Sequence, residues 1–293
     1  MGEGVGALAR RRFSPGKPGA MWRYAALIGL SVVFLMPFLW MVGTSLTPPE
    51  EILDRDRPFF PAHPHWQNYV HALAPPPTGY LPFHVFLKNT LMVTILCVIG
   101  QTLSASLVAF AFARLEFGFK EPLFLLVLST MMLPPQVTMI PTFKLWTIPG
   151  WIDSLKPLII PSFFGGGAFF IFLLRQFFLT IPRELEEAAR LDGCSSLGVY
   201  WNVILPNSKP ALTTVALFSF IGHWNDFLGP LIYSQTMETK TLALGLSAFK
   251  SLQLTEYHLL MAASVAVLLP ILIIFFLAQR YFVEGIAMSG MKG

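Results

Sequence analysis

Apolar residues in this chain fall in long unbroken runs, not in the alternating or three-and-four spacing of a soluble fold. A helix needs about 20 predominantly apolar residues to cross a bilayer, and six stretches meet that requirement. Tyr24–Leu46, Asn89–Ala113, Pro122–Phe143 and Leu259–Gln279 contain no Asp, Glu, Lys or Arg. Pro157–Leu174 is equally clean and continues past Arg175 to Thr180, whereas Pro210–Tyr233 carries His223 and Asp226. The pattern predicts an all-α membrane protein with six transmembrane helices. Pro37, Pro134, Pro135, Pro141, Pro161, Pro230 and Pro270 sit in or beside these runs. They predict helices kinked or broken inside a packed bundle, because lipid cannot satisfy the backbone groups that a break releases.

Charge sets the orientation. With the N-terminus inside, Arg10, Arg11, Arg12, Lys17, Arg23, Arg114, Lys120, Arg175, Arg183, Arg190, Lys209, Arg280 and Lys292 face the cytoplasm, which makes 13 of the 20 Lys and Arg residues. Arg55, Arg57, Lys88, Lys144, Lys156, Lys240 and Lys250 are the other 7. The excess places both ends in the cytoplasm. The predicted organisation is a basic tail (1–23), a first span (24–46), an extracytoplasmic segment (47–88), a five-helix core (89–280) and a C-terminal tail (281–293). The first span follows basic residues as a signal peptide would, but its apolar part is too long and no cleavage site follows, so it is expected to remain as a helix.

Two connections exceed a simple turn. Thr47–Lys88 is rich in proline and aromatics, and it reads either as a small ordered cap or as a tether. Ile181–Lys209 is polar and opens with Pro182-Arg-Glu-Leu-Glu-Glu-Ala-Ala-Arg190. Proline at the start and acids in the first turn favour a helix there, and Gly193 offers its stop. The expected element is a short amphipathic helix on the cytoplasmic face.

Composition narrows the class. Hydrophobic residues make up 54% and charged residues 12%, with a mean hydropathy of +0.61, against about 25% charged in soluble domains. The net charge of +4 is spread thinly outside the N-terminal cluster, which reads as an orientation signal and not as a nucleic-acid arm. Cys97 and Cys194 fall in different compartments and have no metal-ligand company. His63, His65 and His71 share one loop without a carboxylate or cysteine at useful spacing, so no metal site is expected. No phosphate loop, His-Glu-x-x-His or Gly-x-Ser-x-Gly is present. Gly165-Gly166-Gly167 lies inside a span, where it permits close packing or a bend. Any ATP-driven transport therefore needs the ATPase on another chain.

The polar loop supplies the surface for such a partner. Glu187-Ala188-Ala189 is followed by three residues, Gly193, nine residues, then Val203-Ile204-Leu205-Pro206. This resembles the EAA motif of permease subunits in binding-protein-dependent ABC importers, with Val203 in place of isoleucine. Ala113-Arg-Leu-Glu-Phe117, Pro141-Thr-Phe143, Trp224-Asn-Asp-Phe-Leu228 and Gln279-Arg-Tyr-Phe-Val-Glu-Gly285 through Gly293 resemble its carbohydrate-uptake branch, nearest the maltose-type second permease. The resemblance implies a type I importer fold in a bacterial or archaeal cytoplasmic membrane. It further implies a homologous second permease, a homodimeric cytoplasmic ATPase carrying ATP and Mg, an extracytoplasmic solute-binding protein and a carbohydrate solute. This chain is expected to be no enzyme and to bind no cofactor. Its ATPase-coupling residues are expected to be Glu187, Ala188, Ala189, Asp192, Gly193, Leu205 and Pro206.

Polar groups inside a membrane are functional candidates by default. Trp224, Asn225 and Asp226 are expected either to touch the solute, Trp224 by stacking on a sugar ring, or to hold and gate neighbouring helices. Ser104, Ser106, Gln136 and Thr138 are further pore-lining candidates, and Arg175 is expected to snorkel to the interface. A secondary transporter would need intramembrane ion sites beyond Asp226. A membrane glycosyltransferase would need paired carboxylates or a nucleotide-sugar site, which the sequence does not offer.

Overall fold

The computed structural model describes residues 18–74, 81–250 and 256–289. The cluster Arg10–Lys17, the prolines Pro75–Pro77 and the terminal Gly290–Gly293 lie outside these residues. Every regular element among the described residues is helical: α1 (Pro18–Ser45), α2 (Gln67–Leu73), α3 (Phe83–Arg114), α4 (Lys120–Ser129), α5 (Pro135–Thr147), α6 (Lys156–Ile159), α7 (Ala168–Thr180), α8 (Arg183–Leu191), α9 (Ser196–Val199), α10 (Leu205–Asn207), α11 (Lys209–Trp224), α12 (Leu228–Tyr233), α13 (Leu242–Ser247) and α14 (Tyr257–Ser289).

Among the described residues, four helical stretches are long and apolar enough to cross a membrane: Met21–Ser45, Phe83–Arg114, Lys156–Thr180 and Tyr257–Leu277. A fifth arises if the pair Lys120–Met132 and Pro135–Thr147, bent by 100°, counts as one span. The bend falls at Leu133-Pro134, where proline disfavours a helical residue before it. The stretch 156–180 is interrupted by Gly165, Gly166 and Gly167, all at positive φ. The predicted run 210–233 is not one helix: α11 stops at Trp224 and α12 resumes at Leu228, and each piece alone is too short to span. The last helix passes Gln279 and runs to Ser289.

Helix α3 organises the bundle. Its apolar residues occupy every side, so the buried face is marked by small and polar residues instead. Thr90, Thr94, Cys97, Ala105, Ser106 and Ala109 are buried, while Leu91, Ile95, Ile99, Leu103 and Leu107 form an exposed stripe at helical spacing. Small residues let neighbouring backbones approach, and the large ones are left for lipid. Thirty-two residues at 1.5 Å per residue make a rod about 48 Å long, longer than the roughly 30 Å hydrocarbon core. Both ends therefore reach loops. At one end Asn89 Nδ2 donates to the carbonyls of Glu238 (2.7 Å) and Lys240 (2.9 Å), and Thr90 Oγ1 accepts the Leu242 N–H at 2.8 Å. At the other, Ser106 and Arg114 bond to the segment 178–200.

Two apolar clusters sit along this rod. One joins Phe83 and Phe86 to Trp224, Leu242, Leu259 and Ala263. The second joins Ala105, Phe110 and Ala113 to Leu174, Phe178, Tyr200 and Ile204. Between them the rod presents Gln101.

The segment 47–74 is ordered as a cap. Asn68 is fully buried and donates through Nδ2 to the carbonyls of Ser45 and Thr47, both at 2.9 Å, while His65 Nδ1 lies 2.9 Å from its Oδ1. On the same side as Asn89, Asp153 ties two loops together. Its Oδ1 accepts the N–H groups of Gln235 (2.8 Å) and Thr236 (3.0 Å) and the hydroxyl of Thr239 (2.6 Å). These bonds, led by the one from Thr239, hold the Asp153 carboxyl at about 2, down from an ordinary 3.8, because each donor favours the charged form.

Candidate functional site

The two helix breaks face one another across a cavity of about 350 Å³, whose lining includes Gln101, Ser162, Gly166, His223, Asp226 and Tyr233. Gly166 has φ +64, and a Cβ there would lie 2.5 Å from the Gln101 carbonyl oxygen and 2.6 Å from the Ala105 Cβ. The break thus lies directly on α3. Gln101 Oε1 accepts the Ser219 hydroxyl at 2.6 Å and lies 3.3 Å from His223 Nε2. Asp226 Oδ1 accepts the Gly229 N–H at 3.1 Å and so stabilises the restart of the chain as α12. Broken helices around a polar cavity are the arrangement that membrane transporters use to expose backbone groups to solute.

The residues of the Trp-Asn-Asp segment separate. Asp226 lines the cavity together with His223. Trp224 is 1% exposed, stacks on Phe220 and donates its indole N–H to the Val267 carbonyl at 3.1 Å. Its ring is enclosed by protein, and its indole N–H links α11 to α14. Asn225 is exposed and folds back onto the Ile221 carbonyl at 2.8 Å. Of the remaining polar candidates, Ser106 is fully buried and bonds the Tyr200 hydroxyl at 2.6 Å. Ser104 donates to the Ser162 carbonyl at 2.9 Å. Gln136 and Thr138 lie exposed on α5.

The second candidate surface is the polar loop. Helix α8 forms from Arg183 to Leu191, with Glu184 and Glu186 in its first turn, and Gly193 ends it at φ +87. Glu187, Ala188, Asp192 and Gly193 are exposed, with Leu191 at 89%. Among the described residues no hydrogen bond or ion pair engages the Glu187 side chain. Ala189 is half-buried, and Leu205 packs against the apolar cluster around Tyr200 while Pro206 is exposed. The loop therefore presents one face outward and is held to the bundle by the other.

That inner face carries residues which the sequence alone did not single out. Glu186 is buried, with Arg190 Nη2 at 2.9 Å and Arg114 Nε at 3.8 Å. Arg114 Nη2 donates to the Phe178 carbonyl at 2.7 Å and to that of Ile181, and so ties the end of α3 to the end of α7. The Glu186–Arg190 spacing of four was a signal available in the sequence; Arg114 stood within the Ala113–Phe117 stretch that carries the resemblance, but nothing there pointed to its partners. Arg175 does not snorkel. Its side chain is 15% exposed, sits 4.2 Å over Phe124, pairs with Glu121 at 3.5 Å and donates to the Phe112 carbonyl at 3.2 Å. Among the described residues no group of three His, Cys, Asp or Glu is placed to hold a metal ion.

Comparison with known proteins gives a consistent picture. Residues 101–288 match the family described as "Binding-protein-dependent transport system inner membrane component". The arabinooligosaccharides transport system permease protein AraQ of Bacillus subtilis is 33% identical over 90% of this chain and 92% of its own length. The sn-glycerol-3-phosphate transport system permease protein UgpE of Yersinia pestis is 29% identical, covering 90% and 94%. Among solved structures, a chain of a bacterial ABC transporter involved in the import of the acidic polysaccharide alginate superposes with a TM-score of 0.78 at 24% identity, over 88% of this chain and 95% of that one.

Proposed function

The chain belongs to the family of binding-protein-dependent transport system inner membrane components, and we propose that it forms one half of the pathway of an ATP-driven importer for a sugar or a related polyol. It is a permease and not the enzyme; ATP and Mg act on a separate, homodimeric subunit. The observation that carries the reading is the outward face of α8, where Glu187, Ala188 and Asp192 stand exposed on a helix whose other face is fixed to the bundle. Alanine keeps that face thin, and Glu187 is a free carboxylate for a basic residue in a cleft of the ATPase.

Six crossings follow if the bent pair α4–α5 and the broken pair α11–α12 each count as one, added to α1, α3, the stretch 156–180 and α14. Both ends then lie in the cytoplasm, and the 47–74 cap with the Asp153 tie faces a solute-binding protein outside. A homologous permease supplies the other half of the pathway. The cavity by Gln101 and Asp226 offers hydroxyl-binding groups, which suits the sugar and polyol-phosphate cargoes named for the relatives.

The test is reconstitution of the complete complex in vesicles. Uptake should require ATP and stop when the ATPase subunit is left out; uptake driven by an ion gradient alone would overturn the reading.

A further inference from the structure

Arg114 is the last residue of α3, and its side chain is 2% exposed. It joins three elements: its own helix, the Phe178 and Ile181 carbonyls at the end of α7 and Glu186 on α8. The guanidinium is a rigid planar fork, so fixing Nη2 on the α7 carbonyls also fixes where Nε points. That Nε–H is buried and has no hydrogen-bond acceptor. The nearest carboxylate oxygen, Glu186 Oε2, stands 3.8 Å away, about 0.6 Å beyond hydrogen-bond reach. A buried donor left open is unfavourable, and a small inward shift of α8 would close it.

Glu186 has a second partner to release or keep. Its Oε1 is held by Arg190, which shares the helix and is 44% exposed at its side chain. Arg183 is the remaining nearby charge on this side and is exposed. One carboxylate is thus shared between a surface arginine that travels with α8 and a buried arginine that belongs to the bundle. A contact that differs in length between two arrangements biases one against the other, whereas a contact of constant strength biases neither.

We propose that Arg114 is the positioning residue through which displacement of α8 reaches the membrane helices, the Arg114–Glu186 pair being open here and closed in the alternate arrangement. The proposal rests on the reading of α8 as the ATPase-docking helix. Because α3 runs from Arg114 past Gln101, the same rod that receives the shift also forms a wall of the cavity.

The test reads the cavity, not the cargo. In a cysteine-free background (Cys97→Ser, Cys194→Ser), Leu158→Cys places a thiol in the cavity lining. Its modification rate by a charged maleimide is measured in nanodisc-held complexes, with and without ATP and vanadate. The parent should change rate at least fivefold with nucleotide. Glu186→Gln leaves the α7 bonds of Arg114 intact and should reduce that change below twofold while the ATPase stays bound. The double variant Arg114→Met with Glu186→Leu removes both charges together, which keeps such a site folded, and should behave as Glu186→Gln does. Variants that keep the fivefold response, or lose it only in proportion to lost ATPase, overturn the proposal and leave the docking reading intact. A parent rate indifferent to nucleotide removes the transport reading and the proposal with it.

Discussion

Ser106 and Tyr200 meet hydroxyl to hydroxyl at 2.6 Å although 94 residues separate them in the chain. Both are fully buried, so the bond pins the polar loop to α3 from within the packed cluster. Loss of one buried hydrogen bond costs about 1 kcal/mol. Tyr200→Phe and Ser106→Ala should each lower the stability of the assembled complex by that order. The pair together should cost little more than one, because both remove the same bond. Thermal unfolding of the four complexes checks the cycle, and strict additivity would show the hydroxyls to be independent.

Glu187 stands outward on α8 where Glu186 stands inward. Reversing its charge should leave the bundle untouched, so Glu187→Lys is expected at parental levels in the membrane. The ATPase should no longer co-purify, and uptake should be abolished. Quantitative membrane blots beside affinity capture of the complex measure both; wild-type transport by this variant would end the docking assignment.

Gly165 and Gly166 are adjacent, both with positive φ, yet only one is crowded. Nothing lies within 4 Å of a Cβ at Gly165, whereas a Cβ at Gly166 would strike α3. Gly165→Ala should cost only backbone strain, about 1 to 3 kcal/mol. Gly166→Ala adds a backbone collision and should prevent accumulation of folded protein. Size-exclusion profiles of the two variants in detergent discriminate them, and equal behaviour would mean that the break does not lie against α3.

Asp153 makes the loop tie dependent on pH in a defined direction. Its folded pKa, about 2, lies below the ordinary 3.8, so the stabilisation is complete above about pH 4 and is lost as pH falls through 2. Amide protection at Gln235 and Thr236 should be unchanged between pH 7 and pH 5. Asp153→Asn should weaken it at neutral pH, since the carboxylate that accepts these bonds is gone. Hydrogen exchange read by mass spectrometry follows both; loss of protection already at pH 6 would mean that another group holds the loops.

How far the sequence reached depended on what each residue's signal was. The apolar runs located the long helices because lipid demands continuous apolar length. The break at Pro134 and that at Gly165–Gly167 were written in residues that cannot continue a helix. The break after Trp224 was signalled only by Pro230, which cannot donate back to the Asp226 carbonyl; its position was not legible, because Asn225 and Asp226 are tolerated within helices and the Gly229 N–H taken by Asp226 marks the restart. The helix α8 was legible from Pro182 and its acids. Which of two neighbouring glutamates turns inward was not, since that is decided by Arg114, 72 positions earlier. Arg114 and Arg175 counted in the sequence as orientation charges, and packing made both into struts.

Helix α1 is fastened to the cap at its Ser45 end. Near Ser45 it is fastened by Asn68 and by Arg57, which lies 4.8 Å over Trp40; from Met21 to Met36 it is exposed throughout, and among the longer helices it leans on α14. A bilayer thinner or thicker than the helix is accommodated by tilt. A tilt of α1 about its Ser45 end would keep Asn68 and Arg57 in place and would be felt by the bundle through α14.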